Sequence, residues 1–231
     1  VIPITPQAIC FDLINGGDKD WGRYPPYREL AYEACEAAGA DFSLGTAGGG
    51  FGATTADLKG GLGSASVVTS AGHTVGALVV VNAIGSAVVG GGPHFWAAPW
   101  EIGDEFGGRG AQTHPSTALA WKGQPLTPAT TIALVATDAK LTKPQAKRLA
   151  IAASGGKSKG LRLAHAIFDG DMVFAASTGR RPLRDAAPEM IELCALASDC
   201  LARAIARGVH AATALPFRGA LPSWRDRFDG A

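Results

Sequence analysis

Residues 128–138 read Pro-Ala-Thr-Thr-Ile-Ala-Leu-Val-Ala-Thr-Asp. Two adjacent threonines, Thr130 and Thr131, stand directly before an apolar run that predicts a buried strand. A threonine at the mouth of such a strand can cut its own chain: its hydroxyl attacks the preceding carbonyl, the amide becomes an ester, and hydrolysis frees an amino-terminal threonine whose amine can act as a base. Threonine is also common at strand starts because it is β-branched, so the pattern alone favours an ordinary strand residue.

The residues after Thr130 predict alternating strands and helices. Strands and helices follow in the order strand 131–137, helix 143–153, loop 154–159, strand 172–178 and helix 187–210. Strands that are apolar on both faces, interleaved with helices, are typical of sheets covered by helices. The predicted fold class is therefore α/β.

The first half of the chain is less regular. Its predicted elements are a strand at 2–13, a turn at 15–18, a helix at 27–38 that stops at Gly39, a glycine-rich irregular stretch at 45–63, a hairpin of strands 64–69 and 75–84, and a long surface linker at 90–128. The linker is expected because tryptophan, glycine and proline recur there without regular spacing.

Bulk composition narrows the class of protein. A chain of 231 residues that is 47% hydrophobic can bury one large core, so a single domain spanning 1–231 is expected. A formal net charge of +1 argues against nucleic acid or a membrane as partner, and no run reaches transmembrane length or looks like a signal peptide. The four cysteines lack metal-ligand spacing and lie in apolar segments, which favours reduced, buried thiols and a cytoplasmic location.

Several ordered blocks of sequence resemble the P1 family of peptidases, which contains L-aminopeptidase/D-alanine esterase-amidases, β-peptidyl aminopeptidases and nylon-oligomer hydrolases. The blocks are residues 16–22, 24–28, 59–66, 75–82, 92–96, 130–132 and 168–171. The resemblance covers nearly the whole chain. It implies a four-layer α/β/β/α sandwich with an N-terminal-nucleophile-type active site and the nucleophile on an inner strand.

The resemblance also implies how the chain is organised. Residues 1–129 correspond to the latter part of the family's α segment, and residues 130–231 to its β segment. Because the chain opens on Val1 without a methionine, we expect a further segment before it. The family implies a homo-oligomer, often a tetramer of processed heterodimers.

Thr130 is the candidate nucleophile, and the 129/130 junction is the candidate cleavage site. The resembled family usually has an asparagine before the threonine, whereas this chain has Ala129. The attack itself needs only a strained carbonyl, so alanine is chemically permissible. The departure predicts either slow or absent cleavage, or a chain altered to trap the precursor. Thr131 is the weaker candidate because alternation points it to the opposite face.

Asp169 and Asp171 lie two residues apart directly before a predicted strand, so both carboxylates share one face. Two close carboxylates raise each other's proton affinity, which suits an acid/base relay around the threonine. The pattern alone favours an ordinary acidic turn with Gly170 at positive φ. The resemblance favours catalysis, because nylon-oligomer hydrolases use this Asp-Gly-Asp pair beside a catalytic threonine.

Asn82 and Lys59 complete the candidate site. Asn82 ends an apolar strand, where asparagine is commonly a turn former, but the resemblance implies that it donates to the oxyanion. Lys59 is either a solvated loop lysine or, if buried, a group that tunes the threonine amine or binds a substrate carboxylate. The resemblance places a functional lysine there. His73, His94 and His165 lack ligand spacing and are expected to be structural or surface residues. Neither a metal nor an organic cofactor is expected, since the implied chemistry uses only protein groups.

Three functions remain open. The first is a self-processing hydrolase that cleaves peptide or nylon-type amide bonds through a threonine acyl-enzyme. The second is a non-processed, catalytically silent relative that serves as a binding or assembly protein, and Ala129 is its supporting feature. The third is an acyltransferase with the same self-cleaving threonine.

Overall fold

A computed structural model describes residues 7–116, 118–123 and 128–229. Its helices and strands are α1 (Tyr27–Glu36), β1 (Gly61–Val68), β2 (Thr74–Asn82), β3 (Thr130–Ala139), α2 (Lys143–Gly160), β4 (Met172–Arg181), α3 (Ala186–His210) and α4 (Trp224–Phe228), with short 3₁₀ turns at Gly48–Gly50 and Ala98–Trp100.

The four strands form one sheet in the order β1-β2-β3-β4. β1 and β2 form the predicted hairpin, β2 and β3 pair antiparallel, and β3 and β4 pair parallel across the α2 crossover. Strand ends therefore meet at residue 82 of β2, residue 130 of β3 and residue 172 of β4.

Two helices cover one face of this sheet. Alternate residues of β2 and β3, among them Val79 and Val135, point to that face and are buried against Leu201 and Ile205 of α3. Backbones approach closely here, because a Cβ on Gly63 would overlap the carbonyl oxygen of Ala204. The α/β class is confirmed, and the described residues supply one sheet and one helical layer of the expected four-layer sandwich.

Two predictions about secondary structure and one about the burial of cysteines were wrong. The loop expected at 154–159 is helical, since α2 runs on to Gly160. No strand runs through residues 7–13, and residues 1–6 of that prediction lie outside the described part of the chain. The four cysteines are unpaired, but of the four expected to be buried only Cys200 is; Cys10 and Cys194 are half-buried and Cys35 is exposed.

The segment 90–128 is only partly the surface linker that its composition predicts. Phe95 and Phe106 are buried and form an aromatic cluster with Trp224: the rings of Phe95 and Trp224 stack with centroids 5.5 Å apart. This contact joins residues far apart in sequence, which local composition does not reveal. Residues 117 and 124–127 of the segment lie outside the described residues. Among the residues that are described, no helix is long and apolar enough to span a bilayer.

Candidate active site

Thr130 begins β3 and pairs directly with Asn82, the last residue of β2. Both residues are buried. Thr130 Oγ1 donates a 2.6 Å hydrogen bond to the carbonyl oxygen of Ala129. The hydroxyl therefore lies against the same peptide unit that it would have to attack.

The carbonyl oxygen of Ala129 has a second donor. The backbone N–H of Gly170 donates to it at 2.8 Å. A fixed N–H aimed at a carbonyl oxygen stabilises the negative charge that appears there during nucleophilic attack. Gly170 is not among the positive-φ residues, so the turn expected at this glycine is not what requires it. Its small size is what matters, since a Cβ would lie 3.1 Å from Thr130 Oγ1.

Asp169 and Asp171 share one face, but the hydroxyl of Thr130 is on the other. Ala129 bridges Asp169 in parallel, and the same offset continues into the pairing of β3 with β4. Since side chains alternate along strands, Asp169 and Asp171 lie on the face of Ala129 and Thr131. The two acids therefore flank the backbone at the junction rather than the hydroxyl itself.

Asp171 is held by N–H groups and cations. Its Oδ1 accepts from the backbone N–H of Thr131 at 2.9 Å, and its Oδ2 accepts from the backbone N–H of His165 at 3.1 Å. Lys157 Nζ lies 3.6 Å and His165 Nδ1 3.4 Å from Oδ2. Its side chain is 1% exposed. Two N–H donors and two basic side chains therefore surround this buried carboxyl group.

Asp169 has the opposite surroundings. Both of its carboxyl oxygens are buried, and neither has a hydrogen-bond partner among the described residues. Burial and the neighbouring charge of Asp171 raise the pKa of Asp169 to about 7, against the lowering effect of Lys157 and Lys122. A carboxyl group that titrates near neutral pH suits proton transfer.

The side-chain amide of Asn82 is fixed from several sides. Its Oδ1 accepts from the backbone N–H of Thr54, from Asn15 Nδ2 and from Lys122 Nζ, the last at 2.6 Å. Its Nδ2 donates to the carbonyl oxygen of Phe11 at 2.9 Å. An amide nitrogen carries two hydrogens, so this contact leaves one for a further acceptor.

A model of peptidase family S58 matches residues 1–220. The chain belongs to peptidase family S58. It is 41% identical over 246 residues to an uncharacterized aminopeptidase of Mycobacterium tuberculosis, an alignment that takes in all of this chain and 69% of the relative. It is 38% identical over 252 residues to an uncharacterized aminopeptidase of Mycobacterium leprae, covering 67% of that relative.

Solved structures of similar fold include a β-aminopeptidase of a Burkholderia species, with a TM-score of 0.58 and 25% identity over 84% of this chain and 54% of that one. Another is an L-aminopeptidase/D-Ala-esterase/amidase of Ochrobactrum anthropi, described as a prototype of the serine aminopeptidases with a variant Ntn-hydrolase fold. That protein has a TM-score of 0.53 and 23% identity over 80% of this chain and 50% of its own. The S58 chain thus has the Ntn-hydrolase fold, belongs to a family of peptide-hydrolysing enzymes, and spans about half of these solved chains.

In this S58 chain Lys59 is buried, and its ammonium group is fully engaged. Nζ donates to the carbonyl oxygens of Gly50, Ala53 and Gly60, each at 2.8 Å. Burial lowers its pKa to about 8. Since all three hydrogens are used within residues 50–60, Lys59 holds this loop together directly before β1.

Sequence patterns assigned no functional role to three residues around the S58 site. Lys122 is buried and bonds Asn82, and burial lowers its pKa to about 8. Lys157 was missed because its segment was predicted to be a loop. His165 was expected to be structural, yet it lies on Asp171. A helix that continued to residue 160 would have placed Lys157 on a buried face, which is the one clue available.

The loop before Asp169 is backbone-strained. Leu163, His165 and Phe168 are non-glycine residues with positive φ, at 69°, 57° and 67°. Such conformations cost free energy and concentrate at functional sites. Phe168 and Asp169 pair with the backbone of Ala129, so the conformation of this loop determines the positions of the two acids.

The other two histidines named in the sequence analysis, His73 and His94, lie outside the site. His73 bonds Glu189 at 2.7 Å, and His94 contacts the backbone of Gly110. Within the described ranges, no group of three or more His, Cys, Asp and Glu side chains is arranged to hold a metal ion.

Proposed function

We propose that this chain is a self-processing N-terminal-nucleophile aminopeptidase, or amidohydrolase, whose nucleophile is Thr130. The observation that carries the proposal is the hydrogen bonding of the Ala129 carbonyl oxygen. The Thr130 hydroxyl and the Gly170 N–H both donate to it, at 2.6 and 2.8 Å. Attacking group and oxyanion donor are thus arranged on one peptide unit.

The proposed self-cleavage is an acyl shift followed by hydrolysis. Thr130 Oγ bonds to the carbonyl carbon of Ala129, its proton leaves to solvent, and the oxygen of Ala129 becomes negative beside the Gly170 N–H. The bond to the Thr130 nitrogen then breaks as that nitrogen takes a proton from Asp169. Water hydrolyses the ester, which leaves a carboxylate on Ala129 and a free amine on Thr130.

In the proposed turnover the same hydroxyl attacks a substrate carbonyl. The free amine of Thr130 acts as base, the remaining Asn82 N–H and a backbone N–H stabilise the oxyanion, and water releases the acyl group. Asp169 and Asp171 accept protons from the Thr130 amine and return them to it. Lys59 assists by holding the loop of residues 50–60. The chemistry uses protein groups alone, so the proposal includes no cofactor.

The substrate class is proposed from the relatives and from the acid pair. The mycobacterial relatives and the Burkholderia and Ochrobactrum proteins are aminopeptidases by name, which supports small peptides or amides. The Asp-Gly-Asp sequence and Thr130 support the threonine branch, which includes hydrolysis of nylon-type oligomers.

Mass spectrometry of the purified chain tests self-cleavage. We expect two fragments, residues 1–129 and 130–231, and an intact chain for Thr130→Ala. Introducing the asparagine that is usual in the resembled family, as Ala129→Asn, should accelerate cleavage.

Turnover is tested with amino-acid p-nitroanilides. Asp169→Asn should lower hydrolysis about 10²–10⁴-fold, the usual contribution of a positioned acid or base. Asp199→Asn, which removes a surface partner of Lys159, is the matched control and should leave hydrolysis unchanged. Activity retained by Thr130→Ala would overturn the assignment of the nucleophile. An intact, inactive wild-type chain would favour the silent binding protein, and acyl transfer to an amino acid in preference to water would favour the acyltransferase.

The proposal includes a homo-oligomer in the cytoplasm, for which the resembled family suggests a tetramer of processed heterodimers. The amphipathic helix α1 has no buried residue, and Tyr27, Leu30 and Tyr32 are exposed on it. A helix of this length is marginal in water without a packing partner, which supports a second copy of the chain as that partner. Light scattering should give a multiple of the monomer mass, and a monomer would contradict this part of the proposal. The unpaired cysteines support a reducing compartment.

A further inference from the structure

Lys157 is a fully buried lysine in the last turns of α2. Burying an ammonium group is costly unless another group compensates its charge. Its Nζ has no hydrogen-bond partner among the described residues, and the ion pair with Asp171 Oδ2, at 3.6 Å, is its nearest compensation. Hydrogen bonding therefore does not explain why a lysine occupies this position.

The charge of Lys157 falls unequally on the two acids. It lies against Asp171, which also accepts two backbone N–H groups, whereas Asp169 has no hydrogen-bond partner in the described chain. Two adjacent buried carboxylates hold one proton more readily than none. A cation beside one of them decides which carboxylate keeps the proton.

The other titratable groups near the pair come from two further segments. His165, in the loop after α2, lies 3.4 Å from Asp171. Lys122, in the segment before β3, acts on Asp169 but donates its hydrogen bond to Asn82. Lys157 approaches the pair from the helical side: burial lowers the pKa of its ammonium group, and the charges of Asp171 and Asp169 oppose that lowering.

We propose that Lys157 is a positioning residue: its ammonium charge keeps Asp171 ionised and so places the shared proton on Asp169, beside the Ala129–Thr130 bond. The inference rests on the proposed function only for the reaction that the proton serves, since the charge arrangement exists in the intact chain. Asp169 gives its proton to the departing nitrogen of Thr130 and regains one from solvent. Lys157 neither gives nor takes a proton.

The test is an NMR titration of ¹³C-labelled aspartate carboxyl groups in the Thr130→Ala chain, which cannot cleave itself. With Lys157 present, we expect Asp169 to titrate near neutral pH and Asp171 to remain ionised there. Lys157→Met keeps the length of the side chain and removes the charge. This substitution should raise the pH at the midpoint of the pair's titration by about one to three units, the usual effect of losing an adjacent opposite charge.

Two control variants separate charge from packing. Lys157→Arg restores the charge and should restore the titration towards that of the parent. Lys159→Met removes a cation two residues along α2 that pairs with Asp199 at the surface, and it should leave the titration unchanged. An unchanged titration in Lys157→Met, or an equal shift in Lys159→Met, would overturn the proposal.

A measurement in the chain with Lys157 intact covers the case in which Lys157→Met does not fold. The ¹³Cε shift of Lys157 should report a protonated amine throughout the pH range in which Asp169 titrates. A neutral Lys157 amine in that range would overturn the inference. If the titrations behave as expected but wild-type protein never cleaves, the proposed function fails while the role of Lys157 stands.

Discussion

At the scale of single residues, two hydrogen bonds meet on the carbonyl oxygen of Ala129, from Thr130 Oγ1 and from the N–H of Gly170. The second depends on a residue without a side chain, because Gly170 faces the threonine hydroxyl directly. A larger residue must move either the donor or the nucleophile.

Gly170→Ala should therefore slow self-cleavage roughly 10–100-fold, because small misplacements of reacting groups cost that much. The added Cβ would lie 3.1 Å from Thr130 Oγ1, which is too close without a shift. Time-resolved mass spectrometry measures the rate. Gly76→Ala in β2 is the matched control, since the added Cβ would lie at an ordinary 3.4 Å from its nearest neighbours, Ala65 and Ser66 of β1. Equal rates in both variants would contradict the steric argument.

Local patterns could predict some site residues but not others. Thr130 and Asn82 lie at the ends of strands that apolar periodicity marks clearly, and the two acids are separated by a single residue. Lys122 and Lys157 act through contacts across 40 and 14 residues of chain, with Asn82 and Asp171. No pattern along the chain encodes such contacts. The sequence likewise does not show which face of β3 the two acids lie on, because that depends on the register between β3 and the segment that enters β4.

At the scale of elements, α2 shows why the end of a helix was predicted too early. The predicted helix ended at residue 153, two residues before Gly155, but α2 continues through Gly155 and Gly156 to Gly160. A Cβ on Gly156 would overlap the carbonyl oxygen of Ser198 in α3. The glycine is there for close helix packing, and that packing carries Lys157 to the acid pair.

This explanation gives opposite expectations for two neighbouring glycines. Gly156→Ala should lower the free energy of unfolding by about 1–3 kcal/mol, the cost of overpacking. Gly155 is exposed, and its Cβ would lie 3.6 Å from Ser198 Oγ. Gly155→Ala should raise the free energy of unfolding by about 0.5–1 kcal/mol through helix propensity. Urea denaturation measures both, and destabilisation of equal size in the two variants would mean that helix packing is not the reason.

At the scale of the whole molecule, buried ionisable groups make stability depend on pH in separate windows. The pKa of Asp169 is raised to about 7 in the folded chain, so ionising it costs stability as the pH rises from about 4 to 7. Lys59 and Lys122, with pKa values lowered to about 8, act above that range and in the opposite direction. The lowered pKa values of Glu189 and Glu192 matter only in more acidic solution.

A comparison of Tm between pH 5 and pH 7.5 isolates Asp169 when two chains that differ only at Asp169 are compared, because a contribution that both chains share cancels. Burial lowers the pKa of His210, which favours stability as the pH rises, and this effect is the same with or without Asp169. In the Thr130→Ala background, adding Asp169→Asn should raise Tm more at pH 7.5 than at pH 5. Each kcal/mol corresponds to about 2–4 °C for a chain of this size. An equal change in Tm at both pH values would mean that Asp169 is ionised throughout, and it would then have no proton to give to the nitrogen of Thr130.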